Sequence, residues 1–262
     1  MAVIFRCCVV FTLLMQSVVH ANACDKTIYL TFDTGNMSVA HYVAETLKKH
    51  DVKATFFLAN EKTYRGDYAL DEGWSSYWKE LVAAGHGFGS HTFFHTYYVR
   101  DLSDQTIQVK SQFGPHAGKV QNVDARALCS DIQAVGQRFQ KLTGRSIDTI
   151  WRAPGGKTSP QSIAMAKSCG FAHIAWSPHG FLGDELSSEK YPNQALLNKA
   201  LRELRPGDIA MAHLGIWSRK DVWATSVLEP LIVGLKAQGY CFGLIRDLKQ
   251  HSAVSGTIVR HD

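Results

Sequence analysis

Ile28-Tyr29-Leu30-Thr31-Phe32-Asp33 opens a unit that continues through Val39 to His50 and ends at Ala54-Thr55-Phe56-Phe57-Leu58. The outer pieces are short and rich in β-branched and aromatic residues, which predicts strands. Between them Val39, Val43 and Leu47 recur every four residues, so they share one face of a helix, with Ser38 as its expected N-cap. Strand, helix, strand is the repeating unit of a parallel sheet.

The alternation continues outward from this unit. Helices are expected over Tyr77 to Ala84, Arg126 to Leu142, Pro160 to Cys169, Ala195 to Leu204 and Leu228 to Gln238. Gly85, Gly144, Gly170 and Gly239 act as stops. Strands are expected over Gly87 to Ser90, Thr149 to Trp151, Ala172 to Trp176, Ile209 to Ala212 and Cys241 to Ile245. About seven strand–helix units argue for an α/β fold whose parallel sheet closes on itself. Two polar, glycine-containing inserts, Asn60 to Trp74 and Thr96 to Asp124, read as surface loops at one end.

The chain of 262 residues is 45% hydrophobic and 19% charged, which excludes a disordered or fibrous protein. No linker or repeat divides it, so residues 24–262 are expected to form a single domain. The formal charge of +5 includes no run of five basic residues, so nucleic acid is not an expected partner. Residues 1–23 read as a signal peptide. Arg6 is followed by an apolar run from Cys7 to Val19, broken by Thr12, Gln16 and Ser17, and then by Ala21-Asn22-Ala23, a small-x-small cleavage pattern. That run is about 13 residues, where a membrane span needs about 20. The expected location is therefore periplasmic or secreted, with no membrane span. Export leaves Cys24, Cys129, Cys169 and Cys241, which can pair in three ways or stay as buried thiols.

Unusual polar residues follow the expected strands. Asp33 follows the first, His91 and His95 the Gly87 strand, Arg152 the Thr149 strand, Trp176-Ser177 the next, and His213 the strand ending at Ala212. In a parallel α/β barrel such positions converge on the face where active sites are built. His91 and His95 stand at i and i+4, and on one helical turn such rings can share a cation. Trp151-Arg152-Ala153-Pro154-Gly155-Gly156 ends a strand in a turn that exposes backbone N–H groups.

Taken in order, Thr31-Phe32-Asp33, Gly85-His86-x-x-x-Ser90-His91-Thr92-x-x-His95, Arg152-x-Pro154-x-Gly156 and Ala212-His213 resemble the polysaccharide deacetylases with a NodB-homology domain, carbohydrate esterase family four. The resemblance runs from about Thr27 to Leu248. It implies a distorted (β/α) barrel, often seven-stranded, and a divalent metal, with zinc as the expected ion. It also implies hydrolysis of an N-acetyl group from an amino-sugar polymer, or in some members of an O-acetyl group from xylan. Carried onto this chain, it makes His91 and His95 metal ligands and Asp33 the general base. Arg152 becomes the partner of Asp33, Gly155 N–H an oxyanion donor and His213 the general acid. Met211 stands where the family has leucine in the acetyl pocket, and Pro154 and Trp176 are expected substrate contacts.

Two departures matter. Thr34 replaces the aspartate that the family uses as a metal ligand; a hydroxyl is a much poorer ligand, assisted here by Asp33, Asn36 or water. The family's fourth motif reads Trp176-Ser177-Pro178-His179-Gly180 with Asp184 and Glu185 beyond, and Asp184 is the candidate that orients His213 and Arg152. The best-supported expectation is an exported, metal-dependent deacetylase of peptidoglycan, a chitin-like polymer or an exopolysaccharide. The alternatives are a non-catalytic carbohydrate-binding relative and a hydrolase of a small amide or ester. The joint presence of Asp33, Arg152, His91, His95 and His213 counts against the first, because binding alone needs neither an acid nor a base. An open, aromatic-flanked groove would favour a polymer, and a closed site would favour a small substrate.

Overall fold

In the computed structural model, which describes residues 24–248, the strand–helix alternation becomes one sheet of seven strands whose pairings are all parallel. The expected signal peptide lies outside the described residues. The first half of the chain contains β1 (Thr27–Asp33), α1 (Ala40–Lys49), β2 (Thr55–Leu58), α2 (Ser75–Ala83) and β3 (Gly87–Ser90). An insert follows with β4 (Thr96–Ser103), β5 (Thr106–Ser111) and β6 (Val120–Val123). The second half contains α3 (Ala125–Thr143), β7 (Ile150–Trp151), α4 (Pro160–Ser168), β8 (Ala172–His173), α5 (Asn193–Glu203), β9 (Ile209–His213), α6 (Glu229–Ala237) and β10 (Cys241–Phe242).

The spatial order is β10-β1-β2-β3-β7-β8, with β9 also paired to β1. The gap between β8 and β9 is bridged by an irregular segment. Met211 N–H donates to the Gly180 carbonyl at 2.8 Å and Leu182 N–H to the Met211 carbonyl at 3.2 Å. The sheet thus wraps round as a distorted barrel. Helices cover its outer face, so the central strands are buried on both sides, as Phe32, Phe56 and Leu58 show. The larger apolar cluster joins the sheet to α1, α2, α5 and α6, and a smaller one lies between α3, α4 and β5.

Local chemistry sets the helix ends. The Asp124 carboxylate accepts Ala127 N–H at 2.9 Å to start α3, and Gly144 ends it with φ 76°. Ser159 and Ser162 form a reciprocal capping box at α4. Ser38 does not cap α1; Val39 holds that position, and Ser38 N–H is taken by the Asn36 side chain at 3.0 Å.

Two other expectations are corrected, and one left open is decided. The insert Thr96 to Asp124 is a three-stranded antiparallel sheet in the order β4-β5-β6, not a loop. Its signal was the alternation of buried Ile107, Val109 and Ser111 with more exposed neighbours. The strands beginning at Ala172 and Cys241 end after two residues each, at His173 and Phe242. The cysteines pair as Cys24–Cys241, which ties the start of β1 to β10, and Cys129–Cys169, which ties α3 to the end of α4. Among the described residues no helix is long and apolar enough to cross a membrane.

Candidate active site

The site is built on the register between β1 and β9, which sets Thr31 beside Met211 and Asp33 beside His213. Alternate residues of a strand face the same way, so these four share the barrel's inner face. Arg152, at the end of β7, reaches across to them. Its Nη1 donates to Asp33 Oδ1 at 2.8 Å and to Thr31 Oγ1 at 2.9 Å, and its Nε to the Ile174 carbonyl at 3.2 Å. Arg152 is wholly buried and Asp33 is 2% exposed. Burial alone would raise the Asp33 carboxyl. The charges of Arg152 and His213, with the Arg152 hydrogen bond, outweigh it and hold the group below the ordinary carboxylate range.

His213 has its own carboxylate. Its Nδ1 lies 3.1 Å from Asp184 Oδ2, and its backbone N–H donates to the same oxygen at 2.7 Å. Burial opposes charging of this ring. The Asp184 charge and hydrogen bond, helped by Asp33 and Glu185, win and raise His213 to about 10. The ring is therefore an imidazolium at neutral pH. The Asp184 carboxylate orients His213 alone; the hydrogen bonds of Arg152 go to Thr31, Asp33 and Ile174.

His91 and His95 come together, but not on a helix. They flank a tight turn in which Thr92 (φ 59°) and His95 (φ 49°) take left-handed conformations. Their ring centroids are 4.9 Å apart. His91 Nδ1–H donates to the Arg152 carbonyl at 2.9 Å, leaving Nε2 bare at 3.6 Å from Asp33 Oδ2. Burial pulls His91 down to about 3, against the field of Asp33. It is thus neutral, the form in which imidazole binds a cation. His95 Nδ1 is buried with no hydrogen-bond partner. These features fit a divalent ion as a pair of nitrogen donors. Among the described residues no group of three or more His, Cys, Asp and Glu side chains is arranged to hold one.

The Thr34 hydroxyl is engaged within the fold: it donates to the Phe57 carbonyl at 3.1 Å and accepts Ala59 N–H at 2.7 Å. Fully buried, it braces the end of β2 against β1. Thr34→Val is therefore expected to cost about 1–3 kcal/mol in denaturant unfolding, the penalty for orphaning buried backbone groups, while leaving metal affinity unchanged.

Gly155 is exposed and has φ 62°. Pro154 beside it is buried. The Tyr97 ring packs against Gly155 and stands 4.9 Å from the His95 ring. Burial, then Glu61 and Glu185, push its phenol up to about 12. Trp176 packs on Gly156 and lies 5.9 Å from the Arg152 guanidinium carbon. Met211 is 2% exposed. Trp217, in the loop after β9, is 65% exposed.

Three supporting residues had no motif to mark them. Glu61 Oε1 accepts Gly35 N–H at 2.9 Å, fixing the turn after Thr34. His173 Nε2 accepts Ala153 N–H at 3.3 Å, steadying the turn that carries Gly155. Burial and the Arg152 charge lower His173 to about 4, so it stays an acceptor at neutral pH. Asp131 on α3 accepts two successive amides of the histidine turn.

A buried carboxylate with its arginine stands beside a buried imidazolium with its own carboxylate, at the strand ends of a parallel barrel, an arrangement suited to acid–base chemistry. The family model for polysaccharide deacetylase matches residues 20–174, and the chain belongs to that family. It is 29% identical over 228 residues to the peptidoglycan-N-acetylmuramic acid deacetylase PdaA of Bacillus subtilis, covering 87% of this chain and 73% of that one. It is 24% identical over 228 residues to a peptidoglycan-N-acetylglucosamine deacetylase of Bacillus cereus, covering 87% and 90%. The fold matches a solved mutant of a CE4 family pseudoenzyme with restored enzymatic activity, with a TM-score of 0.63 at 23% identity, over 86% of this chain and 67% of that one. That last likeness speaks to the fold alone.

Proposed function

We propose that this protein is an exported, metal-dependent hydrolase that removes N-acetyl groups from an amino-sugar polysaccharide, with peptidoglycan as the substrate class. The observation that carries the reading is the β1–β9 register, which sets the Arg152-paired Asp33 beside the Asp184-paired His213. Asp33, held ionised, accepts the proton of the attacking water. The Gly155 N–H donates to the carbonyl oxygen as it gains charge. His213 protonates the amine nitrogen as the C–N bond breaks, so that water ends as the acid's hydroxyl and the amine's proton. His91 and His95 would hold the cation, with zinc as the expected ion, which when bound polarises the acetyl carbonyl and acidifies water. Pro154, Met211 and Trp176 would line the acetyl group and the adjoining sugar.

The peptidoglycan assignment draws on the relatives' names and on Trp217, whose exposed ring beside the His213 loop suits stacking on a sugar of a long chain. Two buried charge pairs weigh against a purely binding role, since each is costly to bury and binding alone requires neither. The test is acetate release from N-acetylated peptidoglycan fragments and from chitooligosaccharides, with zinc added or chelated. Release from the peptidoglycan fragments that depends on zinc supports the reading. No release from either substrate overturns it, and release from chitooligosaccharides alone overturns the substrate class.

A further inference from the structure

The turn that carries the two histidines is packed on one side, where Phe93 meets the main core, and open on the other. Thr92 and His95 both adopt left-handed backbone conformations. For residues other than glycine these cost about 1–3 kcal/mol each and persist only where the surroundings impose them. Thr92 is β-branched, so its strain is the more unusual. On the side of α3 and the inserted sheet the turn borders a cavity of about 290 Å³, lined among others by Phe94, Thr96, Val109, Ser111 and Leu128. Solid packing therefore does not impose the conformation there. Hydrogen bonds do: the Phe93 carbonyl accepts Asn60 N–H, the Phe94 carbonyl accepts Gln112 and Phe113 N–H, and α3 holds the remaining side. Ser90 Oγ donates to the Ile132 carbonyl at 2.9 Å and accepts Thr92 N–H at 3.2 Å. Asp131 then takes two amides in succession: its backbone carbonyl accepts Phe93 N–H at 3.1 Å, and its carboxylate Oδ1 accepts Phe94 N–H at 3.1 Å. The side-chain bond is the one that a substitution can remove.

We infer that Asp131 is a positioning residue: its carboxylate latches the strained Thr92–His95 turn across the cavity and so sets the His95 ring opposite His91. It touches no reacting atom and acts through the backbone of Phe94. Its importance for cation binding rests on the proposed deacetylase reading, but its hold on the turn does not.

Three variants separate the possibilities. Asp131→Ala removes the acceptor. Asp131→Asn keeps an oxygen that can accept Phe94 N–H but removes the charge. Val135→Ala destabilises the same helix through a fully buried residue remote from the turn. Hydrogen–deuterium exchange over residues 91–96 is read on each full-length protein without metal, and zinc affinity is read by chelator competition. Asp131→Ala is expected to speed exchange over 91–96 and weaken zinc by about tenfold or more, the equivalent of one lost buried hydrogen bond. Asp131→Asn should stay close to wild type on both measures. Val135→Ala should lower the melting temperature without speeding exchange in the turn. Unchanged exchange in Asp131→Ala, an equal loss in Val135→Ala, or failure of Asp131→Asn to retain the turn would each overturn the latch. If the wild type neither binds zinc nor releases acetate, the deacetylase reading fails, while the exchange data still decide the latch.

Discussion

Replacing Asp33 with asparagine is expected to lower acetate release by about 10²–10⁴-fold, the usual worth of a positioned general base. The same change should destabilise the fold by about 3–5 kcal/mol, because it leaves a buried guanidinium without its counter-charge. Arg152 is wholly buried, and its contact with Asp33 at 2.8 Å is its sole ion pair among the described residues. Stability and catalysis therefore fall together in the single variant, and a second substitution is needed to part them. Asp33→Asn combined with Arg152→Met removes both charges and should recover much of the stability in denaturant unfolding. It should recover none of the turnover. Recovered turnover in the double variant would mean that Asp33 serves only to neutralise Arg152. The pH dependence has a definite sign. The Asp33 carboxyl is lowered in the fold, so its contribution to stability is present above the ordinary carboxylate value and is lost as pH falls through the folded value.

Asp184→Asn should act on the other side of the reaction. His213 is raised to about 10, with the Asp184 charge and hydrogen bond as the principal groups working against burial. An amide partner still orients the ring but no longer stabilises its charge. The His213 pKa should therefore drop by several units, and the alkaline limb of the rate profile should move toward neutrality with it. Amide turnover at neutral pH should fall by about 10²–10⁴-fold. An acetyl ester with a good leaving group should lose far less, because its leaving oxygen needs little protonation. Ring titration of His213 by NMR in wild type and variant checks the shift directly. An unmoved alkaline limb, or equal losses on amide and ester, would remove His213 from the acid role. Stability follows the same linkage. A raised histidine stabilises the fold fully below its ordinary value of 6.5, and that contribution is lost as pH climbs toward about 10. Wild type should thus weaken between those limits, and Asp184→Asn should show little such slope.

What the chain's linear order determined was the alternation of elements and the phase of the reactive residues. Apolar spacing marked β1, α1 and β2, and glycine stops bounded α3 and α4, because these depend on near neighbours in the chain. Asp33, Arg152 and His213 could be named in advance because in a parallel barrel the residue after each strand faces the site. The tertiary structure decided everything that depends on partners distant in sequence. Thr34 stood at a ligand position by resemblance, and only the fold shows its hydroxyl bridging Phe57 and Ala59. His91 and His95 had helical spacing, yet hydrogen bonds to Asp131 and Ser90 fold them into a left-handed turn. Asp184 stood in the sequence as a candidate partner for both His213 and Arg152, and only the β1–β9 pairing and the segment before α5 brought it to 3.1 Å from His213. The disulfide pairing was open among three until β1 met β10 and α3 met α4. Periodicity records which face of an element is buried; charge pairing and hydrogen bonding between elements are set only when the sheet closes and removes those groups from water.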